Sequence, residues 1–275
     1  MNIKELNPDS SPQAAFGARL RRLREEQGWT QEELGIRMGY SGTHLSSVET
    51  GRKMPTLRLA RCADEALGTG DAFECEWREM RQGSLLEGFP EYVEHEARAV
   101  EIRLYEVGAI PGLLQTPEYA ATLEADAVRR GAITQEQADE RVELVAERQA
   151  SLARSPAPVV IAVLDEGSVR RPMGPKSVME AQFDRLLEFA EQPNTVLQIA
   201  PFSMGERRPF SLPLYILTMS DRSLMLYAES VQRGYLEREN TAVVPILTAY
   251  HQLQAEALSQ AASVALIDKV RKGMS

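Results

Sequence analysis

Between Ser41 and Lys53 the chain reads SGTHLSSVETGRK, in which five short hydroxyls, one imidazole and two terminal cations surround the apolar pair Leu45 and Val48. If this segment is helical, the pair at i, i+3 faces inward and Gly42, Thr43, His44, Ser46 and Ser47 face outward. Such side chains exchange short hydrogen bonds with polar edges, a chemistry of recognition more than of catalysis. A solvated helix face normally carries Glu, Lys and Arg. Short side chains instead let a helix axis sink into a DNA major groove, which is about 12 Å wide. Arg52 and Lys53 follow a Gly51 cap and are placed to reach phosphates.

The elements that must position this helix are legible upstream and downstream. Phe16, Leu20 and Leu23 fall at i, i+4 and i+7, with Arg19, Arg21, Arg22 and Arg24 on the other faces, giving a first amphipathic helix with a basic exterior that ends at Gln27-Gly28. Thr30 with Glu33 forms a capping box for a second helix from Gln31 to Met38, burying Leu34 and Met38. Gly39 supplies the left-handed turn residue, and Ser41 caps the third helix. Pro55 is expected to open a fourth helix, and a fifth is expected over Asp71 to Arg81.

The run TQEELGIRMGYSGTHLSSVETGRKMPTLRLARCADEALG resembles the phage-repressor-like, or Xre-type, helix-turn-helix, over about residues 14–82. The likeness rests on Gln31, the small residue Gly35 (where Ala is usual), Gly39, Leu45, Val48, and Glu49 followed by Gly51. It implies phosphate contacts from Gln31 and Arg52 and base contacts from Gly42, Thr43 and Ser47, with His44 and Ser46 nearby on the base-facing side; Ser41 and Lys53 are expected to add phosphate contacts. Gly42 departs from the pattern, since it has no side chain to read a base, so Thr43, His44 and Ser47 carry most of the expected recognition. Glu49 would repel phosphate and is expected to pair with a cation inside the domain; for His44, a base contact and a solvent-exposed ring stand even.

The chain has 275 residues, 43% of them hydrophobic and 26% charged, which suits two globular modules. The formal charge of -9 looks wrong for a nucleic-acid binder until it is divided along the chain. Residues 1–70 hold 10 Lys and Arg against 9 Asp and Glu, leaving 21 against 31 for the other 205. An acidic body repels DNA and restricts contact to the head. Cys62 and Cys75 are too few for a disulfide scaffold and are expected to be reduced and structural, and His44, His95 and His251 are too scattered for a metal site. No cofactor or metal is expected. With neither a secretory signal at its first residues nor a membrane-spanning stretch, the protein is expected in the cytoplasm, associated with the nucleoid when bound to DNA.

The expected fold is an all-α, five-helix helix-turn-helix domain at 14–82 behind a flexible arm at 1–13, then a hinge at 83–90 and a mixed α+β domain at 91–275. In the second domain, helix is expected over Glu91 to Ala99, after Thr116-Pro117, over Thr134 to Ala153 with Val142, Val145 and Leu152 on one side, over Lys176 to Ala190, and continuously from Val243 to Val270. Strands are expected at Ile102 to Val107, Val159 to Leu164, Val196 to Ile199, Leu214 to Met219 and Leu224 to Tyr227. The segments EYVEHEARAVEIRLYEVGAIPGLLQTPEYAATL, ERVELVAERQASLAR and PNTVLQIAPF resemble the C-terminal domain attached to Xre-type heads in many actinomycete regulators described as antitoxin-like. That resemblance implies a partner, a small acidic protein, and no chemistry.

Enzymatic patterns are weak. Gly174-Pro-Lys-Ser lacks the glycines of a phosphate-binding loop, no G-x-S-x-G elbow occurs, and Asp165-Glu166 reads as a solvated turn. Arg207-Arg208 sits in a Gly- and Pro-rich stretch that reads as a surface loop, with a ligand lid or second phosphate contact as the alternative. The protein is therefore expected to be a non-enzymatic, sequence-specific regulator of transcription, a homodimer on an inverted repeat of double-stranded DNA, whose second domain serves dimerisation and binds a partner protein or ligand. The alternative is an antitoxin-like protein that neutralises a small partner and binds DNA for autoregulation.

Overall fold

A computed structural model of the chain describes residues 11–81, 85–86, 88–230 and 233–273. The chain divides into two compact units, Met1–Leu85 and Leu86–Ser275. Residues 1–10 of the expected arm and 83, 84 and 87 of the expected hinge lie outside the described residues.

The described residues of the first unit form five helices: α1 (Pro12–Glu26), α2 (Gln31–Met38), α3 (Gly42–Glu49), α4 (Leu57–Leu67) and α5 (Ala72–Arg81). The first begins earlier than expected, because Ser11 accepts the Ala14 amide and Pro12 needs no amide of its own in the first turn, so Pro12 and Gln13 are helical and not part of an arm. The α2 bounds fall where the capping box places them, with both reciprocal hydrogen bonds between Thr30 and Glu33 formed and Gly39 at φ 73°. Pro55 does not open α4; Thr56 caps it, and the Pro55 carbonyl instead accepts the Trp77 indole N–H at 2.9 Å. Phe16, Leu20, Leu34, Leu45, Val48, Leu59, Phe73 and Trp77 form one core. Asp64, buried at the end of α4, accepts the Phe73 and Glu74 amides at 2.9 Å each and so closes the α5 N-terminus. Cys62 packs against this core, whereas Cys75 is exposed on α5, opposite the buried Phe73 and Trp77, so a structural role for it does not hold.

The second unit is a six-stranded mixed sheet in the order β3-β2-β1-β4-β5-β6, with strands β1 (Glu101–Glu106), β2 (Val159–Asp165), β3 (Thr195–Ala200), β4 (Leu214–Thr218), β5 (Leu224–Glu229) and β6 (Gly234–Glu237). The first three are mutually parallel and the rest antiparallel, so helices must cross over between β1, β2 and β3. They are α7 (Pro117–Arg129) and α8 (Gln135–Leu152), then the short α9 (Glu166–Arg170) and α10 (Lys176–Glu191). The unit begins with α6 (Phe89–Glu96).

The layout departs from expectation in the short α9 and the strand β6, which are additional, and in two helices. The C-terminal helix is two, α11 (Asn240–Glu256) and α12 (Gln260–Gly273), because the Leu258 amide leaves the helical ladder to bond the Ile199 carbonyl at 2.9 Å. Gln260 and Ser263 then accept the outer amides of Leu197 and Ile199, covering the free edge of β3. On α8 the buried residues are Ala138, Glu140, Leu144 and Arg148, not the Val142 and Val145 stripe. Burial of Arg148 turns the helix: its guanidinium makes a bidentate pair with Glu96 of α6, 2.8 Å on each arm, under the Phe89 and Tyr92 rings.

Candidate nucleic-acid interface

The third helix owes its placement to glycines on both sides of the turn. A Cβ on Gly35 would fall 2.5 Å from the Tyr40 carbonyl oxygen, so even the Ala usual at this position would push the turn away. A Cβ on Gly42 would meet the Glu32 side chain at 2.9 Å. Gly42 is thus a close contact between α2 and α3.

Glu49, at the end of α3, is 1% exposed. Arg24 of α1 donates to it through Nε at 2.6 Å and Nη2 at 3.0 Å, while its Nη1 donates to the Trp29 carbonyl at 2.7 Å. The hydrogen bonding to Glu49 is the main cause that holds the Arg24 pKa above its ordinary value. This arginine, expected on the basic exterior, is 7% exposed and pins α1 to α3. Gln31 adds its amide to Glu49 at 2.8 Å. The expected phosphate contact of Gln31 is thereby reduced to the N–H left over, and its first task is to hold the start of α2 against the end of α3.

What remains outward on α3 is narrow. Thr43 and Ser41 are exposed, with the Ser41 hydroxyl accepting the His44 amide as N-cap at 3.2 Å. Ser46 and Ser47 are half-buried; the Ser47 hydroxyl donates to the Thr43 carbonyl at 3.0 Å and keeps only acceptor capacity for another partner. His44 is half-buried, its ring 4.9 Å from that of Tyr40, which favours a role in fixing the turn over reaching a base. Beyond the helix, Arg52 and Lys53 are both exposed, and their amides donate to the Ser47 carbonyl at 2.8 and 3.0 Å. The Arg52 guanidinium is oriented by a 3.0 Å hydrogen bond to the Thr50 hydroxyl. Arg37, also exposed, lies over the Trp29 ring at 4.3 Å, a cation the sequence reading did not single out.

The surface built this way presents a hydroxyl-bearing helix about 12 Å long, with a capped amino end and two cations at its carboxyl end. Its one acidic residue is neutralised inside the fold. Hydrogen bonding to base edges flanked by phosphate contacts is the chemistry it offers.

In the second unit, Asp165 and Glu166 are each 8% exposed, which overturns the reading of a solvated turn. Asp165 caps α9 through the Gly167 amide at 2.8 Å and pairs with Arg208 at 2.8 Å. Glu166 accepts the Phe202 amide at 2.8 Å and the Arg170 guanidinium at 2.5 Å. Arg207 pairs with Glu256, so both arginines of the surface loop are tied into this unit. Among the described residues no group of three or more His, Cys, Asp or Glu side chains is placed to hold a metal ion, and no helix is long and apolar enough to cross a membrane.

Comparison with known proteins agrees with the division. A helix-turn-helix domain family matches residues 15–74, and a family described as a domain of unknown function (DUF5753) matches residues 89–269. An uncharacterized HTH-type transcriptional regulator, y4dJ of Sinorhizobium fredii (strain NBRC 101917 / NGR234), is 46% identical over 52 residues, which cover 19% of this chain and 68% of that protein. No solved structure matches.

Proposed function

We propose, from the premise that this chain belongs to the DUF5753 family and is a DNA-binding regulator of the helix-turn-helix type, that it reads a specific operator as a homodimer. The observation that carries the reading is the burial of Glu49 against Arg24, which removes the only carboxylate from α3 and leaves Thr43, Ser41, Arg52 and Lys53 outward. Thr43 is the base reader; Arg52 and Lys53 hold the backbone. One head with so few cations binds feebly, and a second head multiplies affinity through effective concentration. Two recognition helices about 34 Å apart fit an inverted repeat.

The second domain serves dimerisation and takes a ligand or protein partner, and it acts without catalysis. What supports this is the engagement of Asp165 and Glu166 in helix capping and ion pairs, which leaves neither as a matched acid or base. A small acidic partner protein would meet a second unit with 19 basic and 27 acidic residues, so like charge weighs against the antitoxin-like alternative.

Selection of bound sequences from a random pool, followed by fluorescence anisotropy on the recovered site and on scrambled DNA, tests the DNA claim. The expected result is a two-fold symmetric site with a clear affinity advantage; equal binding to both sequences overturns it. Light scattering on the operator complex tests the second claim, and one chain per operator overturns the homodimer.

A further inference from the structure

The second unit holds a cavity of about 260 Å³ at the amino ends of β2 and β3. Its apolar floor is Leu113, Val160 and Phe189, each no more than 5% exposed, with Leu152 beside them. Two arginines, Arg154 after α8 and Arg185 of α10, reach its wall, and among the described residues no aspartate or glutamate lines it. In a unit with 27 acidic and 19 basic residues, a two-arginine cavity with no described carboxylate in its lining is against the local trend.

Neither guanidinium is fully used by the fold. Arg154 donates to the Ala99 carbonyl through Nη2, but its Nε is buried without a hydrogen-bond partner, a cost that buried donors rarely carry. The acid nearest Arg185 is Glu188, at 3.9 Å and itself 69% exposed, a loose and screened pair. Three of the neutral polar side chains are already engaged: Asn194 donates to the Pro158 carbonyl at 2.7 Å, Gln149 to those of Gly112 and Gln115, and Thr195 to that of Phe189. The groups left for a guest are the cationic donors and the exposed Gln192 amide, over an apolar floor.

We infer that this cavity binds a small organic acid, a single carboxylate on a compact aromatic or branched aliphatic body. The volume is just below the range of about 300–1,000 Å³ typical of ligand pockets, which limits the guest to a small molecule. The carboxylate would take the Arg185 guanidinium in the bidentate geometry that arginine is built for, with the Arg154 charge beside it in the wall. A bare phosphate would leave the apolar floor wet, and a neutral aromatic would leave the arginines unpaired. The inference deepens the ligand arm of the proposed function and rests on that reading only for its regulatory meaning.

Isothermal titration of the full chain with benzoate, benzyl alcohol and inorganic phosphate in low salt tests it. Saturable binding of one benzoate per chain is expected, with benzyl alcohol and phosphate at least about tenfold weaker. Arg185→Ala should weaken benzoate by about tenfold. Arg154→Ala removes a tie to Ala99 and could unfold the rim, so Ala153→Trp, on an exposed lining residue, serves as a blocking variant with both arginines intact and should abolish binding. Benzyl alcohol or phosphate binding as well as benzoate, no benzoate binding at all, or benzoate binding indifferent to Arg185→Ala and Ala153→Trp each overturn the inference. Operator anisotropy on the same preparations keeps the two claims apart: intact DNA binding without benzoate binding sinks this inference alone, and benzoate binding without DNA binding sinks the operator reading alone.

Discussion

The Arg24 guanidinium and the Glu49 carboxylate, 25 residues apart, face each other across α1 and α3 at 2.6 and 3.0 Å. Both are buried, so each is the other's condition for being there. Removing one partner strands a charge, at about 3–5 kcal/mol, whereas replacing both with apolar residues is often neutral. Arg24→Met and Glu49→Leu should therefore each lower the stability of the head by about that amount, and the double variant should recover most of it. Urea unfolding followed through Trp29 and Trp77 checks this. Additive losses would mean that the pair is not coupled.

Helix three should divide its residues by the kind of binding they support. Thr43→Ala should cost about 1 kcal/mol or more on operator DNA and relax sequence preference. Arg52→Ala should weaken operator and random DNA alike and lower the salt slope by about 1. Ser47→Ala should cost less than Thr43→Ala, because the Ser47 hydroxyl is committed to the Thr43 carbonyl. Equal losses from all three on both DNAs would remove α3 as the reader.

How much of this was legible depends on how local the cause is. The bounds of α2, the Gly39 turn and the Ser41 cap were readable because the residues that satisfy those backbone groups lie within four positions. Arg24 was misplaced because amphipathic patterning assigns every arginine to water, and nothing near it announces Glu49. Asp165 finds Arg208 across 43 positions and Glu166 finds the Phe202 amide across 36, so neither burial is written in its neighbourhood. The split between α11 and α12 has no glycine or proline to mark it; its cause is a bond to Ile199. β6 was missed because Gly-Tyr-Leu-Glu offers only four residues of alternation and pairs through β5 alone.

Gly35 offers a test of the turn. A Cβ there would press on the Tyr40 backbone, which cannot swing aside as a side chain does. Gly35→Ala should destabilise the head by about 1–3 kcal/mol, as overpacking does. It should also weaken operator binding beyond its effect on folding, since the strain falls on the segment that aims α3. Chemical unfolding and anisotropy on the same sample separate the two. A variant as stable and as active as the parent would mean that the turn shifts freely.

Glu106, at the end of β1, accepts the Val107 amide at 3.0 Å, the Gly108 amide at 3.4 Å and the Tyr215 hydroxyl at 3.2 Å. Burial nevertheless outweighs these bonds and, with the nearby Glu229 charge, holds its pKa above the ordinary carboxylate value. A carboxyl whose pKa is raised in the folded state binds its proton more tightly there than in the unfolded chain. Its stabilising contribution is complete below the unfolded pKa and is lost as pH rises through the folded one. Glu106→Gln keeps an acceptor oxygen but cannot ionise. The parent's second domain should therefore lose stability relative to the variant as pH climbs from about 4.5 toward neutrality. Parallel curves for the two proteins across that window, measured by thermal unfolding in matched buffers, would mean that Glu106 ionises in the fold as freely as in water.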